Sequence, residues 1–453
     1  MAEQTEVDVV VIGTGPGGEA AAGALAEAGL AVLAVEKHLV GGECPYYGCI
    51  PSKTLIRSAD LVAEARRADG VGGTVDVRPD FALAHDRVRT ITADWDDSAA
   101  VERLERQGVT VVRGTGRLLG ERRVDVNGTT VTARRGVLLD VGTRAVPPPI
   151  DGLADVPYWS NADVLRNPDL PGSMIVIGGG PIGVEIAQAY ARFGCEVSVV
   201  EVGPRLVAVE EPEASRVVTD ALEADGVRVC ADATISSVAF DEDRFTVRLA
   251  DGELRAERLL VAAGRRPNTA ELGLEHVSVR LTDAGYVETD EHQRAGNGLW
   301  AIGDVTGKGG FTHVSMYQSD IAVASILGRS GPGASYRALP RVTFTDPELG
   351  AVGLTESQAR DRGIDVRVAT TDLSASSRGA TYGPGAAGLI KIIADAGSGE
   401  VVGGTAVGPA GGEILGALTV AVRARVTVDD LRHTMLAYPT FHRAITSALP
   451  DLG

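Results

Sequence analysis

Two segments of the chain share one pattern of apolar and polar positions. Each begins with a short apolar run, VVVIG or IVIGG, and passes through a glycine-rich turn into a stretch with helical spacing of apolar residues. Each closes with a second apolar run that ends in a glutamate, Glu36 or Glu201. Short apolar runs rich in β-branched residues are typical of strands. The pattern predicts two strand–turn–helix–strand units, at 7–36 and 173–201.

The turn of each unit has the spacing GxGxxG. Its glycines are Gly13, Gly15 and Gly18 in the first unit and Gly178, Gly180 and Gly183 in the second. In such a turn the first glycine makes the bend, the second admits a diphosphate against the backbone, and the third lets the helix pack on the strand. The glutamate then accepts hydrogen bonds from a ribose. Two complete units with equal spacing to the glutamate therefore predict two dinucleotide sites.

The rest of the chain separates these units and adds a domain of another kind. An apolar strand within 136–152 runs into a proline-rich turn typical of a domain crossover, and a similar strand and exit occur within 258–269. The stretch GLWAIGDVTG predicts a buried strand that delivers Asp304 into a loop. From about residue 336, a hairpin-like LIKIIADAGSGEVVGGTAV and later helical spacing predict a separate α+β domain.

The composition and net charge of the chain limit the kinds of partner that it can bind. A chain of 453 residues with 44% hydrophobic and 23% charged residues is expected to fold into several globular domains. Its formal net charge of −18 argues against nucleic acid or an anionic membrane as partner, because either would require a positive field. The acidic start runs directly into a strand pattern, and no long apolar run follows, so we expect a cytoplasmic protein without a leader peptide.

Two of the four cysteines, Cys44 and Cys49, lie close together in GGECPYYGCIPSK. In a reducing compartment such a pair is typical of redox or metal chemistry rather than of a structural disulfide, although free cysteines also occur as small buried hydrophobes. A structural zinc site would need four ligands, and no partner cluster is nearby. A pair that closes into a disulfide can carry two electrons. Cys195 and Cys230 stand in apolar strand contexts and are expected to be structural.

The chain resembles the FAD-dependent pyridine nucleotide-disulfide oxidoreductases, the family of dihydrolipoamide dehydrogenase, glutathione reductase and mercuric reductase. The resemblance covers nearly the whole chain and rests on the two GxGxxG turns, on CxxxxC followed by Pro51-Ser52-Lys53, on AIGD and on FTDPELGAVGLTE. It implies an α/β fold with two Rossmann-like dinucleotide-binding domains and a C-terminal α+β dimerisation domain. The implied segments are an FAD domain at 1–147, an NAD(P) domain at 148–268, a central segment completing the FAD domain at 269–335, and a dimerisation domain at 336–453.

The resemblance also implies where the cofactors lie. FAD would occupy the first unit, with Glu36 on its ribose, Gly42 among its contacts and Asp304 on its ribityl or phosphate portion. The nicotinamide cofactor would occupy the second unit. A carboxylate at Glu201 suits a free 2′-hydroxyl and repels a 2′-phosphate, so NADH is favoured over NADPH, and nearby Arg205 would soften that preference.

Roles at the cysteines follow from the same resemblance. Cys49 would be the sulfur that faces the flavin, and Cys44 the interchange thiol that meets the substrate. Lys53 would lie near flavin N5 and pair with Glu185 of the second unit. A lysine there stabilises negative charge on the reduced ring, and the glutamate compensates the buried ammonium.

The C-terminal segment departs from the family. Disulfide reductases of this family carry His-Pro-Thr-x-x-Glu there, an acid-base dyad supplied by the partner subunit. In this chain the segment is AYPTFHRAI, with Tyr438 in the histidine position and Arg443 in the glutamate position. Three interpretations compete. Tyr438 acts as proton donor or thiolate partner, which resembles mercuric reductases, where a tyrosine occupies this position. Alternatively, His442 reaches the site from the first turn of a helix that Pro439 begins, because residues four apart share a helix face, or His442 is only a residue of the dimer surface.

Further departures concern the cysteine segment and the crossover strand. Tyr46 and Tyr47 between the cysteines either reshape the substrate face or pack against the FAD domain. Asp140 in LLDVGTR stands where the family has an Ala-Thr-Gly strand end, and we expect it to alter local packing rather than chemistry. The terminus SALPDLG has no cysteine pair of the kind that mercuric reductases use to pass on metal.

The predicted function is an FAD-dependent NAD(P)H:disulfide oxidoreductase. Electrons would pass between NADH, FAD, the Cys44–Cys49 disulfide and a small disulfide or dithiol substrate, in either direction. Because the acid-base residue comes from a partner subunit, we expect a twofold homodimer. One alternative is an NADH-dependent metal-ion or quinone reductase of the same fold, and another is a redox-sensor flavoprotein that turns over poorly.

Overall fold

The computed structural model describes residues 5–452, so the first four residues of the start discussed above, and Gly453, lie outside the described residues. The strands are β1 Thr5–Ile12, β2 Val32–Glu36, β3 Val109–Arg113, β4 Gly116–Gly120, β5 Arg123–Val126, β6 Thr129–Leu139, β7 Thr143–Ala145, β8 Ser173–Ile177, β9 Glu196–Val200, β10 Arg228–Cys230, β11 Ile235–Asp241, β12 Arg244–Leu249, β13 Gly252–Ala256, β14 Arg258–Val261, β15 Arg265–Pro267, β16 Arg294–Gly296, β17 Leu299–Ala301, β18 Pro340–Thr343, β19 Glu348–Gly353, β20 Val366–Asp372, β21 Leu389–Asp395 and β22 Val401–Gly408. The α-helices are α1 Pro16–Glu27, α2 Glu43–Tyr46, α3 Cys49–Ala68, α4 Phe81–Ile91, α5 Ser98–Arg106, α6 Asn161–Arg166, α7 Pro181–Phe193, α8 Pro212–Ala224, α9 Thr312–Ile326, α10 Glu356–Asp361, α11 Ser377–Tyr382, α12 Gly411–Ala424, α13 Val428–Arg432 and α14 Ile445–Ala448. Short 3-10 helices occupy Ala93–Trp95, Leu153–Asp155, Leu274–His276, Gly303–Thr306, His442–Ala444 and Leu449–Leu452.

The chain divides into two compact units. Unit 1 comprises Met1–Pro51, Val88–Val146 and Gly264–Tyr336. Unit 2 comprises Ser52–Arg87, Pro147–Ala263 and Arg337–Gly453. Each unit is therefore assembled from segments that are distant in sequence, and the four segment boundaries inferred from the sequence stay predictions.

Unit 1 is built on a sheet with the strand order β16-β17-β6-β1-β2-β3. The strands from β17 to β3 run parallel, and β4 and β5 add an antiparallel hairpin to β6. Alternate residues of β1 enter two separate cores: Val9 and Val11 pack with helices α1, α5 and α9, whereas Val10 and Ile12 pack with the hairpin and with the segment around Val287. Both faces of β1 are buried, which explains its continuous apolar run.

Unit 2 contains three sheets. The parallel sheet β10-β9-β8-β14 carries the second glycine turn, and the antiparallel sheet β11-β12-β13 shares its apolar core. The third sheet, β18-β19-β22-β21-β20, is wholly antiparallel. It packs one face against α12 and the C-terminal residues from Phe441 to Leu452.

The predicted organisation is confirmed in most of its parts. The two strand–turn–helix–strand motifs predicted at 7–36 and 173–201 are β1-α1-β2 and β8-α7-β9. The predicted hairpin is the β21–β22 pair of the C-terminal antiparallel sheet. The prediction that Asp304 lies in a loop was wrong. Asp304 lies in a 3-10 helix instead, because the Thr306 hydroxyl donates to the Gly303 carbonyl and the Gly307 N–H donates to the Asp304 carbonyl, which closes the turn.

Candidate active site

The first glycine turn joins β1 to α1 in unit 1. Gly13 has a φ of +87°, a conformation that glycine adopts without strain, and an added Cβ there would collide with the Asp140 carbonyl. An added Cβ at Gly18 would collide with the Gly13 carbonyl, so helix α1 packs directly on the turn. Gly15 caps α1, and a Cβ on it would lie 2.7 Å from Asp140 Oδ2. Each predicted glycine thus stands where a side chain would not fit.

Glu36 ends β2 beside this turn and is buried. Its Oε2 accepts hydrogen bonds from the Thr14 N–H at 2.8 Å and the Thr14 hydroxyl at 2.9 Å, and its Oε1 accepts from the His38 N–H at 2.7 Å. A carboxylate oxygen has two acceptor sites, so Oε1 keeps one for a ribose hydroxyl. These contacts fix the Glu36 side chain against the first turn, and its role as a ribose ligand stays a prediction.

The cysteine segment is tied to the first turn. The Gly41 N–H donates to the Thr14 carbonyl at 2.8 Å. Gly42 has a φ of +68°, and an added Cβ there would lie 2.8 Å from the Gly15 Cα. Close approach of two backbones requires glycine at Gly42, and it brings the start of α2 next to the dinucleotide turn.

Asp304 is connected to the same region through Arg265, a residue that sequence reasoning missed. Asp304 Oδ2 accepts from the Thr143 hydroxyl at 3.2 Å, and burial raises the pKa of Asp304 while the Arg265 charge lowers it. Arg265 donates to the Thr143 hydroxyl at 2.8 Å and to Glu43 Oε2 at 2.8 Å. Arg265 therefore links the predicted ribityl ligand to the residue that precedes Cys44.

The structure brings the predicted cysteine pair together. Cys44 lies in the single turn of α2, and Cys49 is the first residue of the long helix α3. The Cys44 side chain hydrogen-bonds to Cys49 and to Thr312, and Cys49 Sγ lies 3.6 Å from the Thr312 hydroxyl. The hydrogen bond with Cys49 and burial raise the pKa of Cys44.

Two other residues, Cys195 and Tyr46, are buried. Cys195 is buried, as predicted, and burial raises its pKa to about 12. Cys230 is only half-buried, at the end of β10. Tyr46 is buried, and its carbonyl accepts a hydrogen bond from Trp95, so Tyr46 packs within unit 1.

The predicted ion pair between Lys53 and Glu185 is present in unit 2. Lys53 Nζ lies 2.7 Å from Glu185 Oε2, and the Lys53 side chain is 30% exposed while that of Glu185 is 4% exposed. Phe344, which the sequence did not single out, touches both members. Its ring centroid lies 4.8 Å from Lys53 Nζ, and its N–H donates to Glu185 Oε1 at 2.8 Å. Glu185 is therefore fixed between an ammonium and a backbone N–H, and it fixes Lys53 in turn.

Helix α7 extends this arrangement with two more polar residues, Gln188 and Arg192, which the sequence analysis also missed. The Gln188 amide accepts from the Asp346 N–H at 2.8 Å and donates to the Asp346 carbonyl at 2.9 Å. Arg192 is buried and pairs with Asp60 at 2.7 Å, with Asp346 at 2.8 Å and with Asp225 at 2.9 Å. The segment from Phe344 to Asp346 is thus held along one side of α7.

The second glycine turn joins β8 to α7. Gly178 has a φ of +115°, and an added Cβ at Gly183 would collide with the Gly178 carbonyl. A Cβ on Gly180, which caps α7, would meet nothing within 4 Å, so this side of the turn is open to a ligand. Glu201, directly after β9, accepts from the Gly179 and Gly203 N–H groups, each at 2.6 Å. The turn and the Glu201 carboxylate fit a dinucleotide whose ribose has a free 2′-hydroxyl.

Arg205, which could soften a preference for NADH, is turned to the backbone. Its Nη2 donates to the carbonyls of Ala208 at 2.8 Å and Glu210 at 2.9 Å. That nitrogen is committed, which weakens the argument that Arg205 accommodates a 2′-phosphate.

The C-terminal segment does not form the helix that was predicted to begin at Pro439. A turn closed by the Thr440 hydroxyl on the Ala437 carbonyl comes first, and the 3-10 helix begins only at His442. The argument that Tyr438 and His442 share a helix face is therefore wrong.

Both side chains nevertheless lie near the surface of unit 2. Tyr438 is 69% exposed, with the Arg443 guanidinium 5.7 Å from its ring centroid. His442 Nε2 lies 3.4 Å from the Thr440 hydroxyl, and the histidine lines a cavity together with Arg378 and Glu413.

In the part of the chain that the structure describes, no helix has both the length and the apolar character needed to cross a membrane.

The known proteins that this chain is similar to agree with the dinucleotide turns and the cysteine pair described above. Residues 7–319 match the family described as pyridine nucleotide-disulphide oxidoreductase, and residues 339–449 match its dimerisation domain, which supports a homodimer. The chain is 34% identical to dihydrolipoyl dehydrogenase from Thermus scotoductus, over 98% of this chain and 97% of the relative. It is 31% identical to mercuric reductase from Bacillus cereus, over 98% of this chain and 71% of the relative.

Among solved structures, the chain is similar to the Cu(II) complex of the HOCl-induced flavoprotein disulfide reductase RclA from Escherichia coli. The TM-score is 0.87 at 26% identity, covering 99% of this chain and 100% of that chain. Family members use FAD and NAD(P)H and are enzymes. The chain therefore belongs to the FAD-dependent pyridine nucleotide-disulfide oxidoreductases.

Proposed function

We propose that the chain is an NADH:disulfide oxidoreductase in which Cys44 and Cys49 exchange electrons with a small disulfide or dithiol substrate. The observation that carries this proposal is the contact between Cys44 and Cys49 in a segment tied to the first dinucleotide turn. We further propose a cytoplasmic homodimer in which Tyr438 or His442 of each chain completes the site of the other.

The cofactors would be held by residues already described. The first turn, Glu36 and Asp304 would hold FAD, and the second turn and Glu201 would hold NADH. Bound FAD supplies two-electron chemistry between a nicotinamide and a disulfide. Lys53, fixed by Glu185, would supply a positive charge in the flavin site.

The protein's own sulfurs would carry out thiol–disulfide exchange. Cys44 Sγ attacks one sulfur of the substrate disulfide and forms a mixed disulfide, and the Cys44 proton passes through Tyr438 or His442 of the partner subunit to the first leaving thiolate. The Cys49 thiolate then attacks Cys44 Sγ, which re-forms the Cys44–Cys49 bond and releases the second thiolate. The Thr312 hydroxyl, 3.6 Å from Cys49 Sγ, can donate a hydrogen bond to the Cys49 thiolate. A partner's Tyr438 or His442 would protonate each leaving thiolate, and the reverse sequence oxidises a dithiol.

Glu201 supports a preference for NADH. Both of its oxygens are fixed by backbone N–H groups, so the carboxylate would meet a 2′-phosphate as a fixed negative charge. A penalty of about 1.4 kcal/mol would give NADH about a tenfold advantage over NADPH in kcat/KM. Equal efficiency with both cofactors would contradict this part of the proposal.

The decisive experiment is an anaerobic titration of the purified protein with NADH, recorded as visible spectra. Wild type is compared with Cys49→Ser, and with Cys195→Ala as the control, since Cys195 is buried in unit 2 before β9, at the opposite end of that strand from Glu201. We expect a long-wavelength absorption band after two-electron reduction in wild type and in the control, and its loss in Cys49→Ser. Identical spectra for all three proteins would place the cysteines outside the electron path and overturn the proposal.

A second candidate is reduction of a metal ion. It is favoured by the tyrosine at Tyr438, and it is consistent with relatives named mercuric reductase and with a neighbour solved as a Cu(II) complex. Within residues 5–452 no three His, Cys, Asp or Glu side chains are grouped to hold a metal ion, so a metal-ion substrate would meet the cysteine pair rather than a built metal site. Steady-state rates with disulfides, Hg(II), Cu(II) and quinones separate the candidates, and slow turnover with all of them would favour the redox-sensor alternative.

A further inference from the structure

Asp140 is a buried carboxyl group directly behind the first glycine turn. Its Oδ2 accepts a hydrogen bond from the Gly18 N–H at 2.7 Å, and its Oδ1 lies 3.4 Å from the Ser315 hydroxyl. Three glycines leave room for it: an added Cβ on Gly15 or Gly18 would lie 2.7 Å or 2.8 Å from Oδ2, and one on Gly303 would collide with Oδ1. The carboxyl group is therefore enclosed by the FAD-binding turn itself.

The charges that face Asp140 are negative. Asp304, on the 3-10 helix after β17, and Glu36, at the end of β2, both act on Asp140 as like charges. Its two hydrogen-bond partners, the Gly18 N–H of α1 and the Ser315 hydroxyl of α9, are neutral. A carboxylate in this buried place would have only neutral hydrogen-bond donors to offset its charge.

A bound diphosphate would add to that negative field. The first-turn N–H groups and the dipole of α1 are the elements that normally attract the diphosphate of a dinucleotide. An ionised Asp140 occupies one of these N–H groups and cancels part of the dipole's attraction. A neutral carboxylic acid in the same position accepts the same hydrogen bond from Gly18 without opposing the cofactor.

We infer that Asp140 carries a proton when FAD is bound, and that loss of this proton weakens FAD binding, so that retention of the cofactor depends on pH. The inference goes beyond the proposed function, because it holds for any electron acceptor. Burial raises the pKa of Asp140 well above its ordinary value, and Asp304 and Glu36 raise it further. Because the diphosphate raises it again, the FAD complex binds the proton more tightly than the free protein does. FAD affinity is therefore highest at low pH and falls as pH rises between the two pKa values.

The test measures FAD release from the full-chain holoenzyme after dilution, by the fluorescence of freed FAD. Wild type is compared with Asp140→Asn, which keeps the shape and an acceptor oxygen but does not ionise, and with Asp283→Asn as an exposed control in unit 1. From about pH 6 to about pH 9, we expect the Kd of wild type and of the control to rise about tenfold or more, and that of Asp140→Asn to change less than about threefold. Parallel pH curves for wild type and Asp140→Asn would overturn the inference, and so would a Kd for Asp140→Asn more than about tenfold above wild type at the lowest pH.

A second measurement needs no variant. Calorimetric titration of FAD into the apoprotein, in two buffers of different ionisation enthalpy, counts the protons taken up with FAD. We expect uptake that approaches one proton per FAD somewhere between about pH 6 and about pH 9. No uptake at any pH in that range would overturn the inference even if Asp140→Asn failed to fold.

Discussion

Replacement of Asp60 by asparagine should make unit 2 more stable at neutral pH but not at acidic pH. Asp60 belongs to a buried cluster in which three carboxylates, its own and those of Asp225 and Asp346, surround Arg192, while Arg67 pairs with Asp346 as well. Burial is the largest effect on Asp60 and raises its pKa to about 7. The charges of Asp346 and Glu64 also raise this pKa, whereas those of Arg192 and Arg57 lower it.

The size of the effect follows from linkage. An aspartate whose pKa is about 7 in the folded protein and 3.8 in the unfolded chain takes up a proton on folding at any pH between these values, so it stabilises the fold at low pH and loses that contribution as pH rises through this window. Each pH unit inside the window changes the free energy of unfolding by about 1.4 kcal/mol, so the step from about pH 5.5 to about pH 8 costs wild type roughly 2 kcal/mol. Asparagine at the same place does not titrate.

Urea unfolding of the holoenzyme, followed by circular dichroism at several pH values, measures the difference. The unfolding free energy of Asp60→Asn relative to wild type should rise by roughly 2 kcal/mol between about pH 5.5 and about pH 8. Asp361→Asn, an exposed aspartate on α10 of the same unit, serves as control and should show no such trend. A difference between Asp60→Asn and wild type that stays constant with pH would refute the reasoning.

Three further predictions concern other sites. Glu185→Gln removes the charge that fixes its lysine partner and should slow NADH-dependent flavin reduction by about tenfold in stopped-flow absorbance, so an unchanged rate would contradict the assigned pairing. Lys391→Met leaves three acidic partners without their buried cation and should lower the free energy of unfolding in urea by about 3 kcal/mol. Arg360→Gln, on the exposed edge of the same cluster, should cost less than about 0.5 kcal/mol. Equal losses for the two variants would disprove the difference between the buried and the exposed cation. Gly18→Ala should yield protein without FAD, because the added methyl group would collide with the turn. Gly416→Ala, in open space on α12, should keep FAD and raise the free energy of unfolding by about 0.5 to 1 kcal/mol. A Gly18→Ala protein that is yellow from bound FAD would contradict this prediction.

Features with a local cause were predictable from the sequence. The glycines of the two turns are required by close contacts within a few residues or with the neighbouring strand. Their spacing in the sequence therefore predicts the turns. The ion pair between Lys53 and Glu185 was predicted through a family resemblance, since nothing near either residue in sequence identifies the other. Cys44 and Cys49 are brought together because a short turn separates α2 from α3.

Features that depend on distant segments were missed or misjudged. Thr312 and Arg265 reach the cysteine segment of unit 1 from other parts of the chain, and each is an ordinary residue in its own sequence context. Phe344 likewise reaches the Lys53–Glu185 pair within unit 2. The polar positions of α7 did carry a signal, since Gln188 and Arg192 interrupt an otherwise apolar helix on the side of Glu185. The helix at Pro439 was wrong because a side-chain hydrogen bond closes a different turn there.

Helix α7 has consequences for how this chain can vary in length. Within three turns it carries Gly183 of the dinucleotide turn, then Glu185, Gln188 and Arg192, each with a fixed partner. A single inserted residue would rotate every later side chain by about 100° and translate it along the axis, so all later partners would be lost at once. The exposed turn between β11 and β12 could absorb the same insertion locally. Length variants of this enzyme should therefore place insertions and deletions in such turns, and the stretch from the second glycine turn to the end of α7 should keep one length.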